Sequence, residues 1–521
     1  MTSNAKKISY NIFFGIGSQL LIALVGIIVP KLFISNFGSE VNGFLSSINQ
    51  VLTYIVLLEA GVGAATLQAL FKPVAEDDRD AINGILSATN QFYTRTGLWY
   101  LGCIVLLAII FPLAVKSSIP VWQQVAIILI SGGTGSIGYF LHAKFRILLN
   151  ADGKLYIYTN AHTIVQLATS FSKVILILLG FNIVFVQLAH MILMFGLSLY
   201  IIWYTRRKYP WINLRVKPDK ASISQKNSVL VHEVSQMIFN HTDVLLLTLF
   251  TNLKVVSVYT LYIMIVDIIS TLIGNIHNGF SFRLGQIYNT DKKAFVRIFD
   301  SYEACYMALS MVLYCVTYLF LLPFMRLYTA GVTDIDYLDR YLPILFVTIK
   351  FLVSSRALSG ATISYAGHFQ KTQWRSVLES ILNLGVSIGA ILLLRSIKVY
   401  YGIYGALFGT VAALLYRAND MIIYTRRNIL HNSPLKSYTK WVVNLIGFGI
   451  MLFISKWIPI KADGYFSLLV YAAGYTLMAF AVFGALNFLA FRKNMIEAIQ
   501  FICTSLFSKL KKQKKQNELF K

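Results

Sequence analysis

Fourteen apolar runs divide the chain, and its basic residues fall almost entirely in alternate gaps between them. Read as helices, the runs cover about 10–34, 44–70, 97–116, 121–145, 156–180 and 183–204. Beyond a basic loop come 229–250, 257–282, 303–325, 341–366, 376–395 and 403–424, and beyond a second basic loop 442–459 and 466–490. With the N-terminus placed inside, the inward gaps and both termini carry 33 Lys and Arg, and the outward gaps carry 8. Basic loops resist translocation, so this asymmetry orients helices in a bilayer. Most of the runs match the roughly 20 apolar residues that cross a hydrocarbon core. The pattern predicts an all-α polytopic membrane protein of about 14 transmembrane helices, with N- and C-termini cytoplasmic. The first run, Tyr10 to Ile34, follows Lys6 and Lys7 and is too long for a signal-peptide core, so it reads as an uncleaved helix.

Composition sharpens the class. The chain is 57% apolar and 13% charged, about half the charged share of a soluble domain. A net charge of +24 would point to nucleic acid in a soluble protein. Here the charge lies in inner loops, so the expected partner is anionic membrane lipid and not nucleic acid. The cysteines, Cys103, Cys305, Cys315 and Cys503, have no metal-ligand spacing and suggest no disulfide framework.

The basic loop Thr205–Asn227 divides the first twelve runs six and six. The expected organisation is a six-helix lobe over 1–208, a basic cytoplasmic linker over 209–228 and a second six-helix lobe over 229–427. Two further helices follow within 428–490, then a basic amphipathic tail over 491–521. Tyr204-Thr205-Arg206-Arg207 recurs 220 positions later as Tyr424-Thr425-Arg426-Arg427, and a shift of 215 places Ala151 on Ala366. An even number of helices per half would make the halves parallel repeats about an axis along the membrane normal. In the tail, Met495, Ile499, Ile502, Leu506 and Leu510 share one helical face flanked by lysines, the pattern of a helix lying on the inner leaflet.

Several motifs mislead. Gly133-x-Gly135-x-x-Gly138 imitates a dinucleotide fingerprint, but the apolar run continues through it, so its glycines are expected to let helices approach. His232-Glu233 has Gln236 where a zincin needs its second histidine, and the phosphate-binding P-loop pattern is absent. No nucleophile–base arrangement, metal site or resident cofactor is expected, and the chain does not read as an enzyme.

Apart from those at the outermost few positions of a run, which are counted with the gaps, five basic residues lie inside the runs. Arg417 is near an inner end, where its head can snorkel to the headgroups. Lys31, Lys173, Lys350 and Arg356 lie deeper, as do the acids Glu59, Asp243 and Asp267. Each charge costs roughly 2.5–3.5 kcal/mol at a helix centre, so seven facing lipid would cost on the order of 20 kcal/mol. They must pair, as Lys31 with Glu59, or line a water-filled cavity. Four cations against three acids suggest a slightly positive cavity suited to an anionic substrate. The acids could take a proton or Na⁺ and so power alternating access.

At this point the chain resembles bacterial polysaccharide exporters of the Wzx flippase type, in the multidrug/oligosaccharidyl-lipid/polysaccharide (MOP) superfamily. The resemblance is carried by Pro30-Lys31-Leu32, Phe37-Gly38-Ser39-Glu40-Val41-Asn42-Gly43, Leu58-Glu59-Ala60-Gly61-Val62-Gly63, Lys72-Pro73 and Phe92-Tyr93-x-Arg95-x-Gly97. It extends over the remainder in topology. It implies a bacterial plasma-membrane flippase that moves undecaprenyl-diphosphate-linked oligosaccharide outward, using a cationic cavity for the sugar-diphosphate headgroup. Polysaccharide polymerase and other assembly enzymes would be its partners. Lys31 and Glu59 fall inside the matched segments, whereas Lys173, Lys350 and Arg356 rest on burial alone. Other readings are a peptidoglycan-precursor flippase, a cation-coupled multidrug exporter, and a membrane polymerase or glycosyltransferase. The exporter would want an acidic cavity, and the enzyme a sizeable extramembrane loop.

Overall fold

The computed structural model describes residues 2–56, 62–219, 237, 241–460 and 463–518. Glu59, His232 and Glu233 lie outside them. The described chain is helical, in the order α1 (Thr2–Ile55), α2 (Val62–Glu76), α3 (Arg79–Ala114), α4 (Val121–Ile137), α5 (Ala143–Ala151), α6 (Leu155–Leu178), α7 (Ile183–Lys208) and α8 (His241–Phe250). There follow α9 (Leu253–Thr290), α10 (Lys292–Tyr328), α11 (Leu342–Tyr365), α12 (Phe369–Arg395), α13 (Gly402–Tyr424), α14 (Leu435–Trp457) and α15 (Tyr465–Glu518). Eleven helical segments among the described residues are long and apolar enough to cross a membrane. The fold is the all-α polytopic one that the run pattern predicts.

The chain forms two compact units. The first holds Met1–Thr260 with Gly331–Ile335 and Lys398–Tyr400, and the second holds Leu261–Ala330, Asp336–Ile397 and Tyr401–Lys521.

In the first unit, α1 contains two predicted spans joined at Gly38, whose φ of +82° is open chiefly to glycine. The next residue, Ser39, donates its N–H (2.9 Å) and hydroxyl (2.6 Å) to Asp334 and so holds the bend. The predicted second span is described in two pieces, α1 as far as Ile55 and α2 from Val62, with residues 57–61 outside the described residues. The third starts at Arg79, well before position 97. Asp78 caps it by accepting the Ala81 N–H at 3.0 Å, and Ile82, Ile85 and Leu86 bury the added turns against Leu70 and Leu148. The fourth passes through a π turn at Gly138–His142 into α5. Of the three motif glycines, Gly135 lies at a close helix approach, as does the neighbouring Gly132. A Cβ on Gly132 would meet Ile104 at 2.5 Å, and one on Gly135 would meet the Tyr100 hydroxyl at 2.5 Å.

In the second unit, α12 and α13 pack backbone to backbone. A Cβ on Gly405 would stand 2.4 Å from Ile391 N, and one on Gly409 2.6 Å from Ser387 N. The α15 helix kinks at Phe491, where the last predicted span gives way to the basic tail. Beyond the kink, Ala498 and Phe501 are buried on the unit while Ile499 is 51% exposed. The tail helix therefore has a protein-facing side, supplied partly by residues outside the apolar face read from sequence.

A turn recurs in the two units. Gly153 N and Lys154 N reach back to Asn150 O and Leu149 O, and Gly367 N and His368 N reach back to Ser364 O and Ile363 O. Both glycines have φ of +67°.

Candidate functional site

Each unit places intramembrane charge differently. In the first, α6 carries a polar residue on each successive turn: Tyr158, His162, Gln166, Ser170 and Lys173. Residues four apart share a helix face, so these form one stripe along an otherwise apolar span. The Tyr158 and His162 rings stack at 5.6 Å, and Gln166 Nε2 lies 3.4 Å from His162 Nε2. His142 lies 5.7 Å from the Tyr158 ring and bonds the Ser198 hydroxyl at 2.7 Å.

At the far end of the stripe is Lys173. It lines a cavity of about 230 Å³ with Gln166, Thr169 and Ser170 from α6 and Pro30, Val29 and Gly26 from α1. Its ammonium lies 5.9 Å from the Phe33 ring centre. Among the described residues no ion pair includes it. Thr169 is buried, and among the described residues its hydroxyl has no hydrogen-bond partner. Lys31 is half-buried beside Pro30 and has interactions of its own. Asp243, on α8, is buried and accepts a bond from the Tyr259 hydroxyl at 2.9 Å.

In the second unit the predicted cations are neutralised. Lys350 on α11 pairs with Asp267 on α9 at 2.5 Å. Arg356, one and a half turns on, bonds Glu379 of α12. The other oxygen of Glu379 faces Arg417 Nε at 3.3 Å. Arg417 also bonds Asp420 (2.8 Å) and the Ser376 hydroxyl (2.9 Å), and Asp420 takes Arg375 as well. Arg417 is 2% exposed, so it does not snorkel to the headgroups. The guanidinium finds its carboxylates within the unit.

A second knot ties α10 to α14. Arg426 is fully buried and bonds Asp300 and Glu303, the latter at 2.5 Å, and Lys440 bonds Glu303 at 2.5 Å. Its repeat counterpart Arg206 is exposed. Sequence reading left Asp300, Arg375, Arg426 and Lys440 in the gaps between runs and passed over Glu303, Glu379 and Asp420, which lie inside runs. Spacing offered a signal for one pair, since Asp420 lies three residues after Arg417 and bonds it. The α6 stripe was also missed, although its four-residue period is visible in the sequence.

Among the described residues no three His, Cys, Asp or Glu side chains converge to hold a metal. What the arrangement offers is an unneutralised ammonium, neutral hydrogen-bonding groups and an aromatic face inside a membrane-spanning unit.

No family profile matches the chain, and no curated protein is similar to it in sequence. Solved structures do match. A lipid II flippase, MurJ, in an inward closed conformation aligns with a TM-score of 0.65 at 14% identity, covering 92% of this chain and 100% of its own. An inward-facing multidrug resistance MATE family transporter of the MOP superfamily gives 0.61 at 15% identity, over 78% and 98%. The MATE multidrug transporter DinF-BH gives 0.52 at 14% identity, over 82% and 97%. At such identities the likeness is one of fold. That shared architecture is a multi-pass, all-helical membrane fold.

Proposed function

We propose that this protein is a flippase of the MOP type that carries undecaprenyl-diphosphate-linked oligosaccharide from the inner to the outer leaflet of the bacterial plasma membrane, for export of surface polysaccharide. The observation that carries the reading is Lys173: a cation in a membrane-embedded cavity, with no carboxylate pairing it among the described residues. An ammonium left so costs several kcal/mol unless an anion or water meets it. A diphosphate supplies the anion. The fold shared with a lipid II flippase supports the class, and the resemblance of the first hundred residues to Wzx exporters supports the glycan.

Lys31, beside Pro30, joins Lys173 in receiving the headgroup. Lys350 and Arg356 act through their ion pairs and hold α11 in place. Asp243 is the carboxylate that takes a coupling proton or Na⁺, with Glu59 and Asp267 in supporting roles. No ATP site is called for, because the ion gradient drives the cycle. Assembly enzymes such as a polymerase receive the product outside.

A peptidoglycan-precursor flippase is the second reading, favoured by the MurJ fold. A multidrug exporter for cations fits less well, since Lys173 would repel its substrate. The test is reconstitution in liposomes with a fluorescent undecaprenyl-diphosphate oligosaccharide. Leaflet exchange is followed with and without an imposed H⁺ or Na⁺ gradient. Wild type should exchange the lipid and Lys173→Met should not. Absence of exchange by wild type, or polymerisation of the sugar instead, sinks the reading.

A further inference from the structure

The α6 stripe has packed polar partners mainly at its Tyr158 end, where His142 and Arg146 lie against the ring. A span can pack with alanine, leucine and glycine, and each polar side chain facing hydrocarbon costs free energy. Yet α6 places Tyr158, His162, Gln166, Ser170 and Lys173 one turn apart on one face. Their mutual bonds account for only part of their capacity. His162 and Gln166 meet at a long 3.4 Å, and Ser170 donates to the Gln166 backbone carbonyl at 2.9 Å. Thr169, next to the stripe, has a buried hydroxyl without a partner among the described residues, and it lines the cavity. A buried unpaired hydroxyl at a cavity wall marks a place where a ligand group completes the bond. Opposite, a Cβ built on Gly26 of α1 meets nothing within 4 Å, so the space is open there.

The chemistry of the face is specific. It has no carboxylate: the sequence of α6 contains neither Asp nor Glu. It offers groups that both donate and accept, an amide, hydroxyls and an imidazole, plus a tyrosine ring, and it ends in one cation. Sugar hydroxyls need donors and acceptors together, sugar rings lie on aromatic faces, and a phosphate needs the cation. A drug cation would find no counter-charge on α6.

We infer that this face of α6 reads the glycan. Gln166, Thr169 and Ser170 bond the hydroxyls of the sugar nearest the diphosphate, Lys173 takes a phosphate oxygen, and Tyr158 with His162 supports the next ring. The inference rests on the flippase reading and adds to it the residues that choose the sugar.

The experiment measures binding to the full-length protein in nanodiscs. The probes are undecaprenyl diphosphate alone and the same lipid bearing an acetamido sugar, a neutral hexose or a trisaccharide. Gln166→Leu and Thr169→Val preserve volume and remove hydrogen bonding, and both suit a membrane helix. Wild type should prefer at least one glycosylated lipid over the bare one. Each variant should lose about 3- to 10-fold on that lipid, as expected for one hydrogen bond, and stay within about 2-fold on the bare lipid. Lys173→Met should weaken both probes. If wild type binds the bare lipid but shows no sugar preference, or if the variants weaken both probes equally or neither, the glycan-reading role is overturned while the flippase reading stands. If wild type binds no diphosphate lipid, both fall. A folding defect is recognised separately, because it would lower the bound fraction for every probe without changing affinity.

Discussion

Glu379 Oε2 stands 3.3 Å from Arg417 Nε, while its other oxygen bonds Arg356. One carboxylate thus serves two guanidiniums from two other helices, α11 and α13. Removing one partner of a buried pair leaves an uncompensated charge and costs roughly 3–5 kcal/mol. Glu379→Gln should fall in that range, because both arginines lose it. Arg356→Met should cost less, because Glu379 keeps Arg417. Unfolding in detergent, followed by fluorescence-detected gel filtration after heating, ranks the two. A greater loss for Arg356→Met would show that Glu379 is not the shared node.

Lys173 behaves oppositely. With no carboxylate to strand, Lys173→Met should leave the melting temperature unchanged or raise it, since methionine suits a span better than an ammonium. Lipid exchange should fall by about 10-fold or more, the worth of one charge-assisted hydrogen bond. A variant that melts early and exchanges normally would make Lys173 structural.

The α12–α13 contact predicts a sharp positional contrast. A Cβ on Gly409 would stand 2.6 Å from the Ser387 backbone nitrogen, which cannot swing aside, whereas one on Gly389 meets nothing within 4 Å. Gly409→Val should cost at least the roughly 1–3 kcal/mol of an overpacked core. Gly389→Val should be nearly silent. Equal melting temperatures for the two would contradict the packing.

Glu40, in the bend of α1, predicts a pH dependence. Burial pushes its carboxyl up, but bonds accepted from the Ser118 hydroxyl (2.5 Å) and N–H (2.7 Å), with Ser117 and Lys254 nearby, hold it below its ordinary value of 4.5. The unfolded chain therefore binds the proton more readily. The stabilisation is complete above the unfolded value and is lost as pH falls through the lower folded value. The melting-temperature gap between wild type and Glu40→Gln should be widest near neutrality and close in acid. A gap constant from pH 7 to pH 3 would remove the carboxylate from the account.

Orientation is tested by reporters. A fusion after Lys217 should be cytoplasmic and one after Phe250 external, as the basic-loop asymmetry requires. The reverse placement would invert the topology.

Much was legible along the chain because membrane helices announce themselves locally. Each predicted span meets a helix among the described residues, and the kink at Phe491 falls where apolar run gives way to basic tail. Helix ends were less legible. The start of α3 depends on Asp78 capping and on Ile82 and Ile85 finding Leu70 and Leu148, contacts that no window of hydropathy contains. The deep charges were found from burial cost, but that cost is the same for a paired and an unpaired lysine.

The sequence alone determined that this is a polytopic helical membrane protein, which of its gaps concentrate basic residues, and which charges the bilayer would have to accommodate. Those properties follow from the transfer free energy of short segments, which each segment carries by itself. Only the tertiary structure decided what the charges do. Lys350 and Arg356 are answered by Asp267 and Glu379, from helices distant in sequence, and Arg417 is buried among carboxylates where the chain alone placed it at the headgroups. Lys173 ends a polar face beside open space. Pairing depends on which helices become neighbours, and that is settled by close contacts such as Gly405 against Ile391, not by any segment's own preference.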